Sequence, residues 1–203
     1  MLTASALRAI GVCALGICAV VACAGGREPV GGREQAGGPA RAEDQSEGAA
    51  EGPLDGDLQQ GEWSFWHPNG QLEARGGYTR DERDGPWTHW YEDGTLRMRG
   101  AYRGERQEGI WEFWHPNGQP SCRGEYRVGR EHGEWTFWLA SGGVQQRGCF
   151  DAGRRALEWT ELDAEERLVA RGSYLDDQPV GVWTRVGADG AEALAADVFG
   201  VPK

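Results

Sequence analysis

From Gly61 onward, short runs in which aromatic or aliphatic residues alternate with polar ones are separated by polar breaks that contain glycine. GEWSFW, LEARGGY, PWTHW and LRMRGAY are successive examples. Runs of this kind predict β-strands, and Pro-Asn-Gly or Asp-Gly between two of them predicts a hairpin turn. The alternation has a fixed length. Written in rows of 24, it starts at residues 61, 85, 109, 133, 157 and 181 with no insertion or deletion. Row position 3 is always tryptophan: Trp63, Trp87, Trp111, Trp135, Trp159 and Trp183. Row position 6 is Trp66, Trp90, Trp114 and Trp138, then Leu162 and Val186. The heptapeptide FWHPNGQ at Phe65–Gln71 returns at Phe113–Gln119 because two rows separate the copies. An ungapped period of this kind is the signature of a repeat architecture.

Each row predicts one hairpin. Proline followed by Asn and Gly fits a type I turn with Pro at its second position, and Gly in the left-handed place of a bulge. In that three-residue loop, row position 6 faces position 12, so Trp66, Trp90 and Trp138 meet Leu72, Leu96 and Val144. Positions 6, 12, 14 and 18 then share the core face. On the other face Trp63 sits opposite Arg75, a pair able to stack as cation–π at about 0.5–1 kcal/mol. A one-layer sheet leaves such a face open, and an exposed aromatic stripe marks a binding surface. Trp63, Phe65, Trp87, Trp111, Phe113, Trp135 and Phe137 are the candidate binding face. The fold expected is all-β: an elongated, curled antiparallel β-meander of six 24-residue β-hairpin repeats.

The row pattern resembles the MORN-repeat variant family of bacteria, whose signature is G-x-W-x-x-W/Y-x-x-N/D-G-x-x-x-x-x-G-x-Y. The resemblance covers Gly61 to about Phe199; a half-row LDGDLQQ from Leu54, with Leu where Tyr is expected, precedes it, so the repeat domain is expected over residues 54–199. Rows five and six depart from it, with Leu157, Glu166 and Ala196 in place of glycines, as the capping repeats of an array do. Many bacterial proteins with this repeat are called antitoxins, the YwqK-like group, so the resemblance implies as one reading an antitoxin that neutralises a toxin.

The segment before the repeats has a different composition. MLTASALR carries one positive charge and is followed by the apolar run AIGVCALGICAVVA, the layout of an export signal. Val20, Val21, Ala22 and Cys23 resemble the lipobox of bacterial lipoproteins, which implies cleavage after Ala22 and lipidation of Cys23. A simple signal peptide and an uncleaved anchor are the alternatives; all three export the chain. Ala24 after the cysteine, by resemblance to Gram-negative lipoproteins, implies passage to the outer membrane. Residues 23–53 are rich in Gly, Glu and Ala and predict a disordered linker that holds the repeat domain away from its anchor. Residues 200–203 form a short tail.

Charge and motifs narrow the function. From residue 24 to 60 there are eight acidic residues against three arginines, and the whole chain has a formal net charge of −11. Such a chain has no electrostatic footprint for nucleic acid. His67 and His115 recur at equivalent places two rows apart, about 19 Å by strand spacing, too far to share a metal. There is no H-E-x-x-H, G-x-S-x-G, phosphate loop or C-x-x-C, so no metal, cofactor or catalytic constellation is expected. Cys122 and Cys149 fall on opposite faces, about 10 Å apart across a strand, and predict two free thiols. The leading reading is a non-catalytic, lipid-anchored envelope protein whose sheet binds or scaffolds a macromolecular partner, most simply a protein. An antitoxin and a glycan-binding module are the alternatives.

Overall fold

The structure, a computed structural model, describes residues 48–187 and the backbone of 192–195. The export signal, Cys23, most of the linker, the tail and parts of row six lie outside the described residues. Among the described residues fifteen strands form in chain order: β1 (Ala50–Glu51), β2 (Leu54–Asp55), β3 (Leu58–Gln59), β4 (Gly61–Trp66), β5 (Leu72–Thr79), β6 (Glu82–Trp90), β7 (Leu96–Arg103) and β8 (Arg106–Trp114). They continue as β9 (Pro120–Arg127), β10 (Arg130–Trp138), β11 (Val144–Asp151), β12 (Arg154–Leu162), β13 (Leu168–Leu175), β14 (Gln178–Val186) and β15 (Glu192–Ala195). Thirteen of them make one open antiparallel sheet in which β4 to β15 lie in sequence order and β1 flanks β4. β2 and β3 pair only with each other. The meander of hairpin repeats expected from the sequence is the fold.

Two kinds of turn alternate along the sheet. At one edge His67 N–H donates to the Gln71 carbonyl at 2.8 Å, and Gly70 N–H donates to His67 at 2.8 Å. Gly70 has φ 84°, so Pro68–Asn69–Gly70 is the expected turn with its left-handed glycine. At the opposite edge two-residue turns join successive rows: Arg80–Asp81, Gly104–Glu105, Val128–Gly129, Ala152–Gly153 and Asp176–Asp177. All ten of these residues have positive φ. That conformation defines the type I′ turn, whose twist matches that of the flanking strands.

The register differs from expectation by one residue. Trp66 does face Leu72, but Phe65 faces Ala74 and Trp63 faces Gly76, not Arg75. Glu73 is an extra residue that bulges out of β5, and Arg97, Ser121, Gln145 and Val169 do the same in the next four rows. A bulge of one residue exchanges the faces of everything beyond it. Row six has no such bulge: Trp183 faces Ala195, its row position 15, so there the expected register holds. In rows one to five the core face therefore comprises row positions 3, 5, 14, 16 and 18. Positions 6 and 12 belong to the opposite, outer face.

The core is a ladder of rings. Trp87, Tyr102, Trp111, Tyr126, Trp135, Phe150, Trp159, Tyr174 and Trp183 follow one another edge-to-face, with centroids 5.0–6.1 Å apart. Each of these tryptophans lies flat on a glycine of the preceding strand. A Cβ built on Gly76, Gly100, Gly124, Gly148 or Gly172 would lie 2.1–2.2 Å from the indole above it. The indole N–H then reaches a carbonyl left free where the ladder opens. Trp87 donates to Gly77, Trp111 to Ala101 and Trp159 to Cys149, at 3.0–3.1 Å. Repeated glycine at row position 16 thus has a steric cause.

The array is also capped at its first row. Ala50 pairs with Phe65, the place that row position 14 takes against the next row. Gly52 lies under Trp63, and Trp63 Nε1 donates to Pro53 at 3.0 Å. Ala50 and Glu51, read from sequence as linker, therefore belong to the sheet, and Gly52 and Pro53 pack against its first tryptophan. The half-row starts four residues before Leu54.

Candidate functional site

The seven residues expected to form an exposed binding stripe do share one face, but it is the packed one. Trp87, Trp111, Phe113, Trp135 and Phe137 are buried, Trp111 completely, and only Trp63 and Phe65 at the first row are half-buried. These rings hold the sheet together. The face turned to solvent carries a different set.

On the outer face three columns cross the strands. Trp66, Trp90, Trp114 and Trp138 stand half-buried at row position 6. Arg75, Arg99, Arg123, Arg147 and Arg171 stand exposed at row position 15. Between the arginines, on the intervening strands, lie Thr88, Glu112, Thr136 and Thr160, each paired with an arginine on both sides, while Ser64 and Thr184 pair with the first and last arginine at the ends of the column. Arg75 pairs with Glu62, Arg99 with Glu112 at 2.7 Å, and Arg123 with the same Glu112 at 3.4 Å. The Arg99 guanidinium lies 5.3 Å from the Trp114 ring centre. The expected cation–π contact between row positions 3 and 15 is absent for the register reason given above. Its place is taken by Arg99 on the outer face and by Arg83 and Arg155 at the rim of the core.

Arg83 illustrates that rim. It lies 4.2 Å from the Tyr102 ring centre and donates to the Tyr102 hydroxyl at 3.1 Å. Its Nε and Nη2 both reach Glu105, at 3.0 and 2.8 Å. Burial alone would lower the Arg83 pKa, but the Glu105 bonds and neighbouring negative partners raise it overall. Burial likewise pushes Glu105 up, and the Arg83 contacts more than reverse this.

The loops of successive rows are tied side chain to backbone. His67 Nε2 bonds the Trp90 carbonyl at 3.0 Å, His115 Nε2 the Trp138 carbonyl at 2.9 Å, and the Tyr91 hydroxyl donates to Trp114 at 2.7 Å. Asn69 and Asn117 donate to the carbonyls of Glu92 and Ala140, each at 2.7 Å. The two FWHPNGQ copies therefore use His and Asn to fasten one hairpin loop to the next. An open cleft of about 430 Å³ beside the first two loops is lined by His67, Tyr91, Glu92, Asp93 and Arg97. His89 occupies the core position held by Phe in rows one, three and four; burial, then Arg97 and Arg83, lower its pKa to about 4. Cys122 is buried, Cys149 is partly exposed, and neither forms a disulfide among the described residues.

Sequence reasoning missed the outer columns because it put the tryptophans of row position 6 in the core. Its own data held a corrective signal. Glycine recurs at row position 16 in five rows, and a repeated strand glycine marks close approach by another group.

This geometry defines a β-hairpin repeat protein with one self-packed aromatic face. The model of the MORN repeat variant matches residues 59–79, 83–103 and 107–127, so three consecutive rows are similar to that repeat. The same spacing continues to Trp183. No curated protein matches the chain. A solved structure titled "Crystal structure of GtfA/B complex bound to UDP and GlcNAc" is 15% identical, with 60% of this chain and 25% of that chain covered, at a TM-score of 0.23.

Proposed function

We propose that this chain is an exported, lipid-anchored envelope protein that presents its repeat sheet to a macromolecular partner and performs no catalysis. One observation carries the reading. The aromatic face packs on itself, so the fold needs nothing on the outer face, yet that face repeats Trp and Arg in columns across the array. Half-buried Trp beside exposed Arg is the composition enriched at binding surfaces. The histidines at the loops are engaged with backbone carbonyls, which fits a structural use for them. Val20, Val21, Ala22 and Cys23 supply the anchor, and three acyl groups at Cys23 would hold the domain stably at a membrane surface.

The test has two arms. Cys23→Ala is expected to leave an unprocessed precursor and abolish metabolic labelling with a fatty acid. A native protein found in the cytoplasm with Met1 attached would overturn the anchor and favour an antitoxin. In the second arm, a photo-crosslinker placed at Arg123 on the outer face is compared with one at Arg130, beside a type I′ turn. Adducts in intact cells are expected from Arg123 in excess. Equal yields, or none, would overturn an outer-face partner.

A further inference from the structure

We propose that the outer face binds an extended acidic polysaccharide, a polyuronate, laid across the strands with its carboxylates on the arginine column. The inference rests on the reading of the outer face as a binding surface and names the class of partner.

The argument begins with spacing. Arg75, Arg99, Arg123, Arg147 and Arg171 occur on every second strand in direct register. Neighbours are therefore separated by two strand spacings, about 9–10 Å. Five like charges in line repel one another, and a chain of net charge −11 has acids enough to neutralise them. Glu62 and Glu112 serve the first three. Arg147 and Arg171 have no ion-pair partner among the described residues. Row position 13, the bulged residue, drifts through Glu73, Arg97, Ser121, Gln145 and Val169, whereas position 15 stays arginine and exposed. The fold does not require that uniformity: among the described residues only Arg99 packs its guanidinium on a Trp of the same face.

The ligand must be anionic, and its charges must repeat at the hairpin interval. An extended peptide repeats on one face about every 6.6–6.8 Å, which drifts out of step within two arginines. In an extended two-fold polyuronate, alternate sugars turn their carboxylates to the same side, so the carboxylates facing the sheet recur once per disaccharide and match the interval. Trp66, Trp90, Trp114 and Trp138 run parallel to the arginines and offer ring faces for the sugars, while the Ser and Thr between the arginines donate to ring hydroxyls. Guanidinium forks recognise carboxylates in two-point contact. A continuous ligand also gains by multivalency, since each occupied row raises the effective concentration at the next.

The experiment is affinity electrophoresis of the mature full chain in gels containing alginate, a neutral glucan, or polyglutamate. Retardation by alginate alone, weakened by added salt, is the expected result. Arg147→Gln with Arg171→Gln should weaken it at least tenfold without moving the thermal midpoint, and Trp114→Ala should weaken it in the parent background. Equal retardation by polyglutamate, or loss of fold in both sets of variants with no effect from Arg147→Gln alone, would overturn the polysaccharide. No retardation by alginate together with outer-face crosslinks to a protein would overturn this inference and leave the broader reading standing.

Discussion

Gly124 lies directly beneath the indole of Trp135, so close that a Cβ on the glycine would be 2.1 Å from Trp135 Cδ2. The contact joins β9 to β10, and the same contact joins each row to the next. Replacing Gly124 by Ala must therefore lift a buried indole off the sheet and lengthen its 3.3 Å bond to the Glu125 carbonyl. Gly124→Ala is expected to destabilise the domain by about 1–3 kcal/mol, the usual cost of overpacking. Urea denaturation checks it. Gly70→Ala, with nothing near the added Cβ but φ 84°, is the comparison for backbone strain alone.

His89 gives the domain a pH dependence. Its unfolded pKa is near 6.5 and its folded one about 4, because burial, then Arg97 and Arg83, disfavour the charged ring. Between those values the unfolded chain holds a proton that the folded chain lacks. Stability therefore falls as pH falls from about 6.5 to about 4 and changes no further below that through this group. His89 stacks on Trp87 at 5.6 Å, as Phe113 and Phe137 stack on Trp111 and Trp135. His89→Phe should keep the stacking and remove the penalty. The variant's advantage should grow by about 1–3 kcal/mol between pH 7 and pH 4, read from denaturation midpoints. An advantage independent of pH would exclude His89 as the source.

The hairpins were legible because their turn chemistry is local: Pro68, Asn69 and Gly70 dictate their own φ and ψ. The pairing of Trp66 with Leu72 followed from loop length. The faces were not legible, because a single bulged residue at Glu73 leaves no mark on the 24-residue period yet reverses the strand beyond it. The candidate site inherited that reversal. A stripe read as exposed became the core, and the tryptophans read as core became the outer column. The type I′ turns escaped notice for another reason: Arg80–Asp81 and Val128–Gly129 share a conformation without sharing residues.

The two cysteines separate the faces experimentally. Cys122 pairs with Phe113 on the core face and is buried, whereas Cys149 pairs with Glu134 and is partly exposed. Burial, then the Glu134 charge, raise the Cys149 pKa, so it should react slowly at neutral pH and faster above pH 9. In the native protein Cys149 should alkylate well before Cys122. In denaturant without reductant both should react together. Faster reaction at Cys122 would reverse the assignment of faces.

Leu157 tests the backbone of the row start. That position is glycine in the other five rows, at φ 79°, 84°, 72°, 67° and 67°, and Leu157 is forced to φ 58°. A side chain in the left-handed region costs about 1–2 kcal/mol, and Leu157 recovers little by burial because it is 67% exposed. Leu157→Gly removes the clash but adds freedom to the unfolded chain, worth about 0.4–1 kcal/mol in the other direction. The net expectation is a gain of about 0.5–1 kcal/mol, measured as a rise in the urea midpoint at unchanged slope. Leu175 is as exposed, at 63%, but sits in β13 without a positive φ. Leu175→Gly should therefore lose stability. If both substitutions lower the midpoint alike, the left-handed conformation of Leu157 carries no strain.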